Sequence, residues 1–312
     1  MNYFVTGGAG FIGSNFVRML LQEKLGPVTS VKVFDKLTYA GSMDNLREVS
    51  NDSRFNFVKG DICDEELVAS HIDEGDTIVH FAAESHVDRS ISGPSEFIRT
   101  NVLGTQVLLS VAVANKVKTF LHVSTDEVYG SVEFGSSVET DSLLPNSPYS
   151  ASKAAADLLV RSFVQTHGLD ARITRCCNNY GPNQYPEKFI PLAIKNLTNG
   201  KPIPIYGDGS NVREWIHVDD HCQGIKLVID KGRKGEIYNL GTNDTSTNLA
   251  LVELILGKLK LGLDQIEFVT DRKGHDLRYS LDSSKSVTQL GFSKSISLDD
   301  GINSLLNPIM RV

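Results

Sequence analysis

Cysteine, tryptophan and long apolar runs are scarce in this chain of 312 residues. The four cysteines include no CxxC pair, and Cys176 and Cys177 are adjacent, so we expect reduced, packed thiols rather than disulfides. The histidines are scattered without zinc-ligand spacing, and we predict no metal site. No run of about 18 apolar residues occurs, so no membrane-spanning helix is expected either.

Positive charge is also scarce, because 31 Lys and Arg residues stand against 38 Asp and Glu, for a net charge of −7. Since no run of Lys or Arg occurs, a nucleic-acid partner is not expected. A strand pattern occupies residues 2–6, where a secretory leader would be cationic and then apolar, so we expect no secretory signal. The composition is typical of a cytoplasmic enzyme and names no partner.

Short β-branched runs alternate with amphipathic stretches over the first 175 residues. The predicted strands are residues 2–6, 30–34, 56–59, 77–81, 119–124 and 171–175. The predicted helices between them are residues 12–25, 94–114 and 148–165. Such alternation predicts an α/β fold: a Rossmann-type, doubly wound parallel sheet with helices on both faces. Ligands of such sheets bind at the carboxyl ends of the strands, where the strand order reverses.

The sequence pattern changes after residue 175, where turn-rich segments appear at residues 178–182, 200–204 and 206–209. Shorter elements are predicted between them, at residues 189–197, 219–229 and 237–240. We therefore expect two domains. Residues 1–175 form the Rossmann domain, and residues 176–312 form a smaller C-terminal α/β lobe that binds the substrate, with chain crossings back to the first domain.

A glycine-rich turn follows the first predicted strand and opens the first predicted helix. Residues 6–13 (TGGAGFIG) fit GxGxxG through Gly8, Gly10 and Gly13, and GxxGxxG from Gly7 onward. Glycines here let the backbone turn tightly and approach a pyrophosphate, which the helix N-terminus stabilises. Asp35, 22 residues after Gly13, would bind the adenosine ribose hydroxyls and favour NAD over NADP.

The basic residue after this aspartate leaves the choice of cofactor open. Lys36 could tolerate the 2′-phosphate of NADP, which Asp35 would repel. The third predicted strand is followed by Asp61 and Ile62, which are well placed to contact the adenine. A glycine pattern alone is weak evidence, and the strand before it and the helix after it are what make it a nucleotide site.

Tyr149 and Lys153 are four residues apart on the predicted helix 148–165 and therefore project from one face. A lysine ammonium beside a phenol, near a positive nicotinamide ring, favours the phenolate and makes the tyrosine a base near neutral pH. The YxxxK pattern is common by chance, but here it follows a nucleotide-binding pattern and Thr125 at the end of the fifth strand. Thr125 can hydrogen-bond the same substrate hydroxyl and direct it to the tyrosine.

Two adjacent carboxyl groups, Asp126 and Glu127, directly follow Thr125. Adjacent carboxyls can simply cap a turn. Just beyond the carboxyl end of a sheet strand they can instead supply one acid and one base, if their protonation differs. A plain dehydrogenase does not need this pair, so the sequence predicts oxidation at one carbon and elimination at its neighbours.

Longer motifs resemble those of a known family. They are residues 35–41 (DKLTYAG), 82–90 (AAESHVDRS), 97–102 (FIRTNV), 125–127 (TDE), 178–182 (NNYGP), 186–191 (PEKFIP), 207–209 (GDG), 211–215 (NVREW) and 274–279 (GHDLRY). Over nearly its whole length the chain resembles the extended short-chain dehydrogenases/reductases, and among them the dTDP-glucose 4,6-dehydratases. These motifs are much more specific than the glycine turn.

The resemblance implies an oxidation, an elimination and a reduction on one sugar, with NAD regenerated and kept bound. Tyr149 would remove the proton of the 4-hydroxyl while C4 gives hydride to NAD. The resulting ketone acidifies the C5 hydrogen, which Glu127 would remove, while protonated Asp126 would deliver a proton to the departing C6 hydroxyl. The hydride would then return to C6. Thr125 and Lys153 complete the implied catalytic set.

The resemblance also implies the binding residues. The NAD contacts would be Gly7, Gly10, Phe11, Ile12, Gly13, Asp35, Lys36, Thr38, Asp61, Ile62, Phe81, Ala83, Thr100, Tyr149 and Lys153. The contacts to dTDP-glucose would be Ser85, Thr125, Asn178, Lys188, Pro204, Tyr206, Arg213 and Asn248, with His275 and Tyr279 lining the same pocket. Arg213 suits the pyrophosphate, because a guanidinium can pair with two phosphate oxygens.

Two positions depart from the family pattern, since Lys273 replaces a usual proline and Glu214 a commoner aspartate. We expect neither to touch the proposed chemistry.

Two rival enzymes remain: a UDP-sugar 4,6-dehydratase and a nucleotide-sugar 4-epimerase. The epimerase would have no task for Asp126 and Glu127. A sensing protein without catalysis is disfavoured because Tyr149 and Lys153 are both present. Apolar residues in the predicted helices 94–114 and 148–165 could pair across a two-fold axis, as in relatives. We therefore expect a homodimer, although core packing explains the same residues.

Overall fold

Seven parallel strands form the central sheet of the computed structural model, which describes residues 1–310. The strands in chain order are β1 (Asn2–Thr6), β2 (Ser30–Asp35), β3 (Phe55–Lys59), β4 (Thr77–His80), β5 (Thr119–Thr125), β6 (Ala171–Cys176), β7 (Asn178–Tyr180), β8 (Ile203–Tyr206), β9 (Val212–His217), β10 (Ile237–Leu240), β11 (Thr245–Thr247) and β12 (Ile266–Val269). The central sheet runs β10-β6-β5-β4-β1-β2-β3, and each neighbouring pair is parallel. After β1 the chain forms β2 and β3 on one side of that strand and then crosses to form β4 on the other side, so the strand order reverses between β1 and β4. The predicted Rossmann-type α/β fold is confirmed.

The helices are α1 (Phe11–Leu21), α2 (Glu65–Ala69), α3 (Val87–Ser92), α4 (Ser95–Phe97), α5 (Thr105–Ala114), α6 (Pro148–His167), α7 (Phe189–Thr198), α8 (Val218–Lys231), α9 (Asn248–Leu259), α10 (Ser284–Leu290) and α11 (Leu298–Met310). Successive side chains of β1 point to opposite faces of the sheet. Val5 therefore joins Phe16 of α1 in one core cluster, whereas Phe4 joins Leu108 of α5 in another. Burial of each such side chain stabilises the fold by roughly 1.5–3 kcal/mol.

The predicted helix 94–114 is interrupted. A π-helical segment, Ile98–Gly104, separates α4 from α5. Gly104 packs directly on Ile62, since a Cβ at Gly104 would lie 2.5 Å from the Ile62 side chain. The wider π turn places the Asn101 side chain inside the protein, where 1 % of its surface is exposed. Periodicity could not show this interruption, because the apolar pattern continues through it.

With its π-helical segment included, the helical stretch Ser95–Ala114 is long and apolar enough to span a membrane by length and composition. Half of its most apolar window is nevertheless buried within the protein, where it contributes to the core beside the sheet. Buried core helices pass the same test, so this stretch is weak evidence for a membrane span.

Helix α6 starts at a fixed point of the chain because several signals coincide there. Ser147 and Ser150 form a capping box, and Pro148 occupies the first turn. At the other end, Gly168 adopts φ 66°, which suits glycine, and stops the helix. These ends fix which α6 residues face the sheet.

Two elements from the second half of the chain pack on the first. Strand β10 pairs with β6 at the edge of the central sheet, and α8 packs against α1. The remaining elements form two small sheets, β11-β9-β7 and β12-β8. Trp215 of β9 lies in a separate apolar core with α7, α9 and α11, where it stacks on Phe189.

Candidate active site

A cleft of about 320 Å³ lies at the carboxyl ends of the central strands, where the strand order reverses. It brings together each residue predicted to bind the cofactor: Gly7, Gly10, Phe11, Ile12, Gly13, Asp35, Lys36, Thr38, Asp61, Ile62, Phe81, Ala83, Thr100, Tyr149 and Lys153. The same cleft is lined by Thr125, Asp126, Glu127, Ser85, Asn178 and Lys188. Residues distant in sequence meet here because parallel strands end at one edge of the sheet.

The glycine turn has no room for side chains. Gly7 has φ +67°, and a Cβ there would lie 2.5 Å from the backbone nitrogen of Ala82. A Cβ at Gly13 would lie 2.3 Å from the carbonyl oxygen of Gly7. Gly10 precedes α1 in an extended conformation and offers no side-chain cap, so the helix N-terminus opens onto the cleft. This narrow backbone cradle fits the pyrophosphate of a dinucleotide.

The carboxylate of Asp35 is held in a fixed orientation at the end of β2. One oxygen accepts a hydrogen bond from the Ala9 amide at 2.9 Å, and the other accepts from the Leu37 amide at 2.8 Å. Burial raises the pKa of Asp35, and these two hydrogen bonds oppose the rise. Lys36 pairs with Asp61 at 2.9 Å, so a neighbouring carboxylate already engages its charge. This arrangement suits the ribose hydroxyls of NAD better than the phosphate of NADP.

Asp126 and Glu127 lie in a 3₁₀ turn that continues directly from β5. The Thr125 hydroxyl caps the turn, accepting from the Glu127 amide at 3.3 Å and donating to Asp126 Oδ1 at 3.1 Å. Asp126 is 4 % exposed. The turn therefore fixes two carboxyl groups next to each other within one cleft.

The surroundings separate these two carboxyl groups electrostatically. Burial raises the pKa of Asp126 well above its ordinary value, and the negative charges of Glu127 and Glu214 raise it further. Burial also raises the pKa of Glu127, but the positive charges of Arg213, Lys188 and Arg272 oppose that rise. Asp126 therefore holds a proton more tightly than Glu127, as an acid and a base require.

Glu214, one of the two departures from the family pattern, is held in place by backbone amides and influences the reacting centre. It is fully buried, and its carboxylate accepts from the backbone amides of Asn243 at 2.8 Å and Leu281 at 2.8 Å. The charge of Glu214 raises the pKa of Asp126. An aspartate would carry the same charge, so the expectation that this departure leaves the chemistry untouched stays a prediction.

Tyr149 and Lys153 project from α6 toward the cleft, as their spacing predicted. The Lys153 ammonium donates to the Val123 carbonyl at 2.8 Å, and burial lowers its pKa to about 8. The pKa of Tyr149 is raised well above its ordinary value, by burial first and then by the charge of Glu127. The protein groups therefore raise the tyrosine pKa, and the low value that we expect beside the nicotinamide ring stays a prediction. The lysine charge is directed at a carbonyl, whereas the phenol lies beside carboxylates.

The sequence analysis missed Asn101, which connects the cleft to α6. Its side chain accepts from the Glu84 amide at 2.8 Å and donates to the Glu84 carbonyl at 3.0 Å and to Ser152 Oγ at 2.8 Å. It thus fixes the loop after β4 against the helix that carries Tyr149. A polar residue within an apolar helical pattern was the available signal.

A bridge across the mouth of the cleft was also missed. The Arg89 guanidinium lies 3.7 Å from the centre of the Tyr39 ring and 3.2 Å from the Glu187 carboxylate. The Tyr39 ring in turn packs edge-on against Tyr185, with 5.4 Å between ring centres. These contacts join α3 to the loops after β2 and β7, beside the part of the cleft that Thr38, Tyr185 and Glu187 line.

The other predicted substrate residues do not line this cleft and lie further along the chain, from β8 onward: Pro204, Tyr206, Arg213, Asn248, His275 and Tyr279. The Arg213 guanidinium stacks on Tyr279 at 4.4 Å and donates to the Asp276 carbonyl at 2.9 Å. His275 packs against Tyr206, with 6.1 Å between ring centres. Asn248 begins α9 and Pro204 lies on β8.

Lys188 connects the two regions, because it lines the cleft and donates to the Ser85 carbonyl at 2.9 Å. Arg272 lies on the same side, paired with Asp88 at 2.6 Å and 5.2 Å from the centre of the Tyr206 ring. Lys188, Arg213 and Arg272 all lie near enough to Glu127 to oppose the rise in its pKa. This concentration of cations suits an anionic group of a substrate.

Residues 1–310 contain no group of three His, Cys, Asp or Glu side chains arranged to hold a metal ion. The four cysteines lie in the same part of the chain, and none forms a disulfide.

The parallel sheet, the glycine cradle and the Tyr149–Lys153 pair together define an NAD-binding enzyme of the dehydrogenase type. The family described as GDP-mannose 4,6 dehydratase matches residues 4–305. A dTDP-glucose 4,6-dehydratase from an Actinoplanes species is 52 % identical, over 97 % of this chain and 95 % of the relative. The chain therefore belongs to this family of nucleotide-sugar 4,6-dehydratases, and the resemblance predicted from its motifs is confirmed.

Solved structures agree with this assignment. The dTDP-glucose 4,6-dehydratase DesIV from Streptomyces venezuelae, crystallised with NAD and dTDP, has a TM-score of 0.97 and 54 % identity, covering 100 % of this chain and 97 % of DesIV. A UDP-glucose 4-epimerase from Thermotoga maritima has a TM-score of 0.90 at 30 % identity, covering 100 % of this chain and 99 % of the epimerase. Because both enzymes share the fold, the residues at the reacting centre must distinguish them.

Proposed function

We propose that this protein converts dTDP-glucose to dTDP-4-keto-6-deoxyglucose and water. One observation carries the proposal: two adjacent carboxyl groups, Asp126 and Glu127, line one cleft with Tyr149, and nearby cations oppose the rise in pKa at Glu127, whereas nearby carboxylates add to it at Asp126. Oxidation at C4 needs only a base such as the tyrosine. Removal of water across C5 and C6 needs an additional acid and base.

Tyr149 and Thr125 would act first, at the sugar 4-hydroxyl. The Thr125 hydroxyl orients the substrate hydroxyl, and Tyr149 takes its proton. The bound NAD supplies the redox chemistry, accepting hydride from C4 at the start and returning it to C6 at the end. Because burial and Glu127 hold the pKa of Tyr149 high, the positive charge of the nicotinamide is what would lower it.

The carboxyl pair would act on the ketone. A carbonyl at C4 makes the C5 hydrogen acidic, and Glu127 removes it as a proton. Asp126 gives its proton to the C6 hydroxyl, so the C–O bond breaks and water leaves, with a double bond between C5 and C6. Glu127 returns a proton to C5 when C6 is reduced. Asp126 regains the proton it gave to the leaving water, and Tyr149 releases the one it took from the 4-hydroxyl, so the enzyme ends each turnover with the protons it started with.

The diphosphate would lie near Lys188 and Arg213. Both carry positive charge near the reacting centre, and Arg213 is held by Tyr279 and by backbone carbonyls. Asn178 and Ser85 line the cleft close by, whereas Pro204, Tyr206, Asn248 and His275 would hold the nucleoside in the smaller lobe. A preorganised guanidinium binds two phosphate oxygens with little loss of side-chain entropy.

Product analysis tests the proposed reaction against its rivals. We expect mass spectrometry to show loss of one water from dTDP-glucose, and little conversion of UDP-glucose under matched conditions. A product of unchanged mass would indicate an epimerase instead, and equal conversion of both nucleotides would remove the proposed preference for thymine. Denaturation of the purified protein should release NAD, because the cofactor is regenerated in each turnover.

We also propose that the protein is a homodimer in the cytoplasm. Three apolar side chains are exposed on the two helical stretches that we expect to pair across a two-fold axis. They are Ile98 at 52 %, Leu103 at 48 % and Leu158 at 55 %. Glutamate at both Leu103 and Leu158 should give a monomer by light scattering, whereas Val287→Glu on α10, at a site 50 % exposed, should not. A dimer that survives the double change contradicts this interface.

The unpaired thiols fit a reducing compartment, and cell fractionation tests the location.

A further inference from the structure

Beneath Lys153, on the side of α6 that packs on the sheet, lies a buried group of charges that the proposed mechanism does not use. Asp157 is 2 % exposed and Arg175 is 2 % exposed, and they are joined by a hydrogen bond of 2.9 Å from Arg175 Nε to Asp157 Oδ2. His122 is fully buried beside them, with 3.5 Å between its Nε2 and Asp157 Oδ1. Burying this many charges is costly, and a fold does not need it.

The spacing along α6 places the carboxylate under the lysine. Tyr149, Lys153 and Asp157 are four residues apart in turn, so they lie on one face of the helix. Strands β5 and β6 pair in parallel below this face and contribute His122 and Arg175. His122 Nε2 lies 3.4 Å from the Lys153 ammonium and 3.5 Å from Asp157, so the imidazole lies between the two charges.

We propose that Asp157 is a positioning residue for the reaction: its buried carboxylate, one helical turn after Lys153, keeps the lysine charged and directed along β5. This inference rests on the proposed function, because it assigns a task to a residue beneath that same site. A neighbouring carboxylate favours the charged form of a buried lysine, which burial alone would neutralise.

The electrostatics of the group agree with this role. Burial lowers the pKa of Lys153 to about 8, and the charge of Asp157 opposes the fall. Burial and the nearby charge of Lys153 lower the pKa of His122 well below its ordinary value, so the imidazole is neutral and cannot replace the ammonium. The titratable and charged groups around the ammonium are Tyr149 and Asp157 on α6, His122 on β5, His80 on β4, and Arg175 and Cys176 on β6.

Arg175 limits how strongly Asp157 acts. Its guanidinium stacks 4.7 Å from the centre of the Tyr129 ring and shares the Asp157 carboxylate with Lys153. Removal of Arg175 would therefore raise the pKa of Lys153, and removal of the Asp157 charge would lower it. The two substitutions make predictions of opposite sign at one lysine.

The test uses the NAD-loaded enzyme and the pH dependence of kcat/KM. Asp157→Asn should move the alkaline limb to lower pH by about one unit or more, the shift that an opposite charge this close produces. Asp157→Glu should restore it in part. Arg175→Gln should move the limb to higher pH. Asp230→Asn is the matched control, because it breaks an exposed Lys226–Asp230 pair with the same spacing on α8.

A second readout follows Lys153 directly, through the NMR titration of isotope-labelled lysine side chains in the NAD-loaded protein. Its signal, assigned by Lys153→Met, should titrate lower in Asp157→Asn than in the parent. If Asp157→Asn lowers only the melting temperature, and shifts neither the alkaline limb of kcat/KM nor the titration of Lys153, then Asp157 has only a structural role and the inference is overturned. If Asp157→Asn does not fold, a limb in Arg175→Gln that stays in place or moves to lower pH overturns it equally. Failure to dehydrate dTDP-glucose in the parent would instead contradict the proposed function.

Discussion

Replacement of Asp126 by asparagine separates the elimination from the oxidation that precedes it. Asparagine keeps the size of the side chain and can still accept the hydrogen bond that the Thr125 hydroxyl gives at 3.1 Å. Within residues 1–310, Asp126 Oδ2 is buried without a hydrogen-bond partner, so it is the oxygen available to carry a proton. An amide cannot deliver that proton, because it is a far weaker acid than a carboxyl group.

The loss can be estimated from the role of a general acid. Such groups typically contribute about 10²- to 10⁴-fold to a rate, which corresponds to roughly 3–5 kcal/mol in the barrier. We expect Asp126→Asn to slow loss of the C6 oxygen by that factor. Oxidation at C4 should change by less than about 10-fold, because Tyr149 and not Asp126 takes the proton in that step.

Single-turnover kinetics measure the two steps separately. The near-ultraviolet absorbance of reduced nicotinamide reports oxidation, and mass spectrometry of a sugar labelled with heavy oxygen at C6 reports elimination. Asp76→Asn is the matched control, because Asp76 is 4 % exposed and burial also raises its pKa, but it lies outside the cleft. Equal slowing of both steps in Asp126→Asn would refute the assignment of this residue as the acid.

Three further substitutions test the remaining parts of the site. Glu127→Gln should leave NAD bound but stop exchange of the C5 hydrogen with solvent, measured by NMR in deuterated water, and unchanged exchange would exclude Glu127 as the base. Tyr149→Phe should slow the appearance of reduced nicotinamide by about 10²- to 10⁴-fold, and a parent-like rate would point to another base. Arg89→Ala should speed release of NAD by about 3- to 30-fold, because it removes an exposed ion pair and a cation–π contact. Arg47→Ala, which breaks an exposed ion pair elsewhere, is its control, and equal release from both would show that the Arg89 bridge does not retain the cofactor.

Local patterns made the sheet and the nucleotide site predictable. β1 and β10 lie where the sequence placed them, and the ends of β2 to β6 differ by one residue, because β-branched runs bounded by turns have few alternatives. The cofactor residues gather in one cleft because the sheet topology brings its strand ends together. The position of the carboxyl pair was likewise predictable, since Asp126 and Glu127 directly follow a strand end.

Contacts between distant residues were not predictable from the sequence. Glu214 lies on β9, in the small β11-β9-β7 sheet, yet its charge raises the pKa of Asp126 at the end of β5, which no local pattern indicates. The low tyrosine pKa expected from the YxxxK spacing and the nicotinamide charge stays a prediction. The spacing could not show that the ammonium would bond to the Val123 carbonyl, or that the charges of Glu127 and Asp126 would raise the pKa of the phenol.

The central claim is that hydride taken from C4 of the sugar returns to C6 of the same molecule. Deuterium placed at C4 of dTDP-glucose tests it most directly, with the product analysed by NMR and mass spectrometry. We expect the label to appear in the new methyl group of the product, in a reaction to which no reductant has been added. A methyl group without deuterium, or label lost to solvent, would contradict the account.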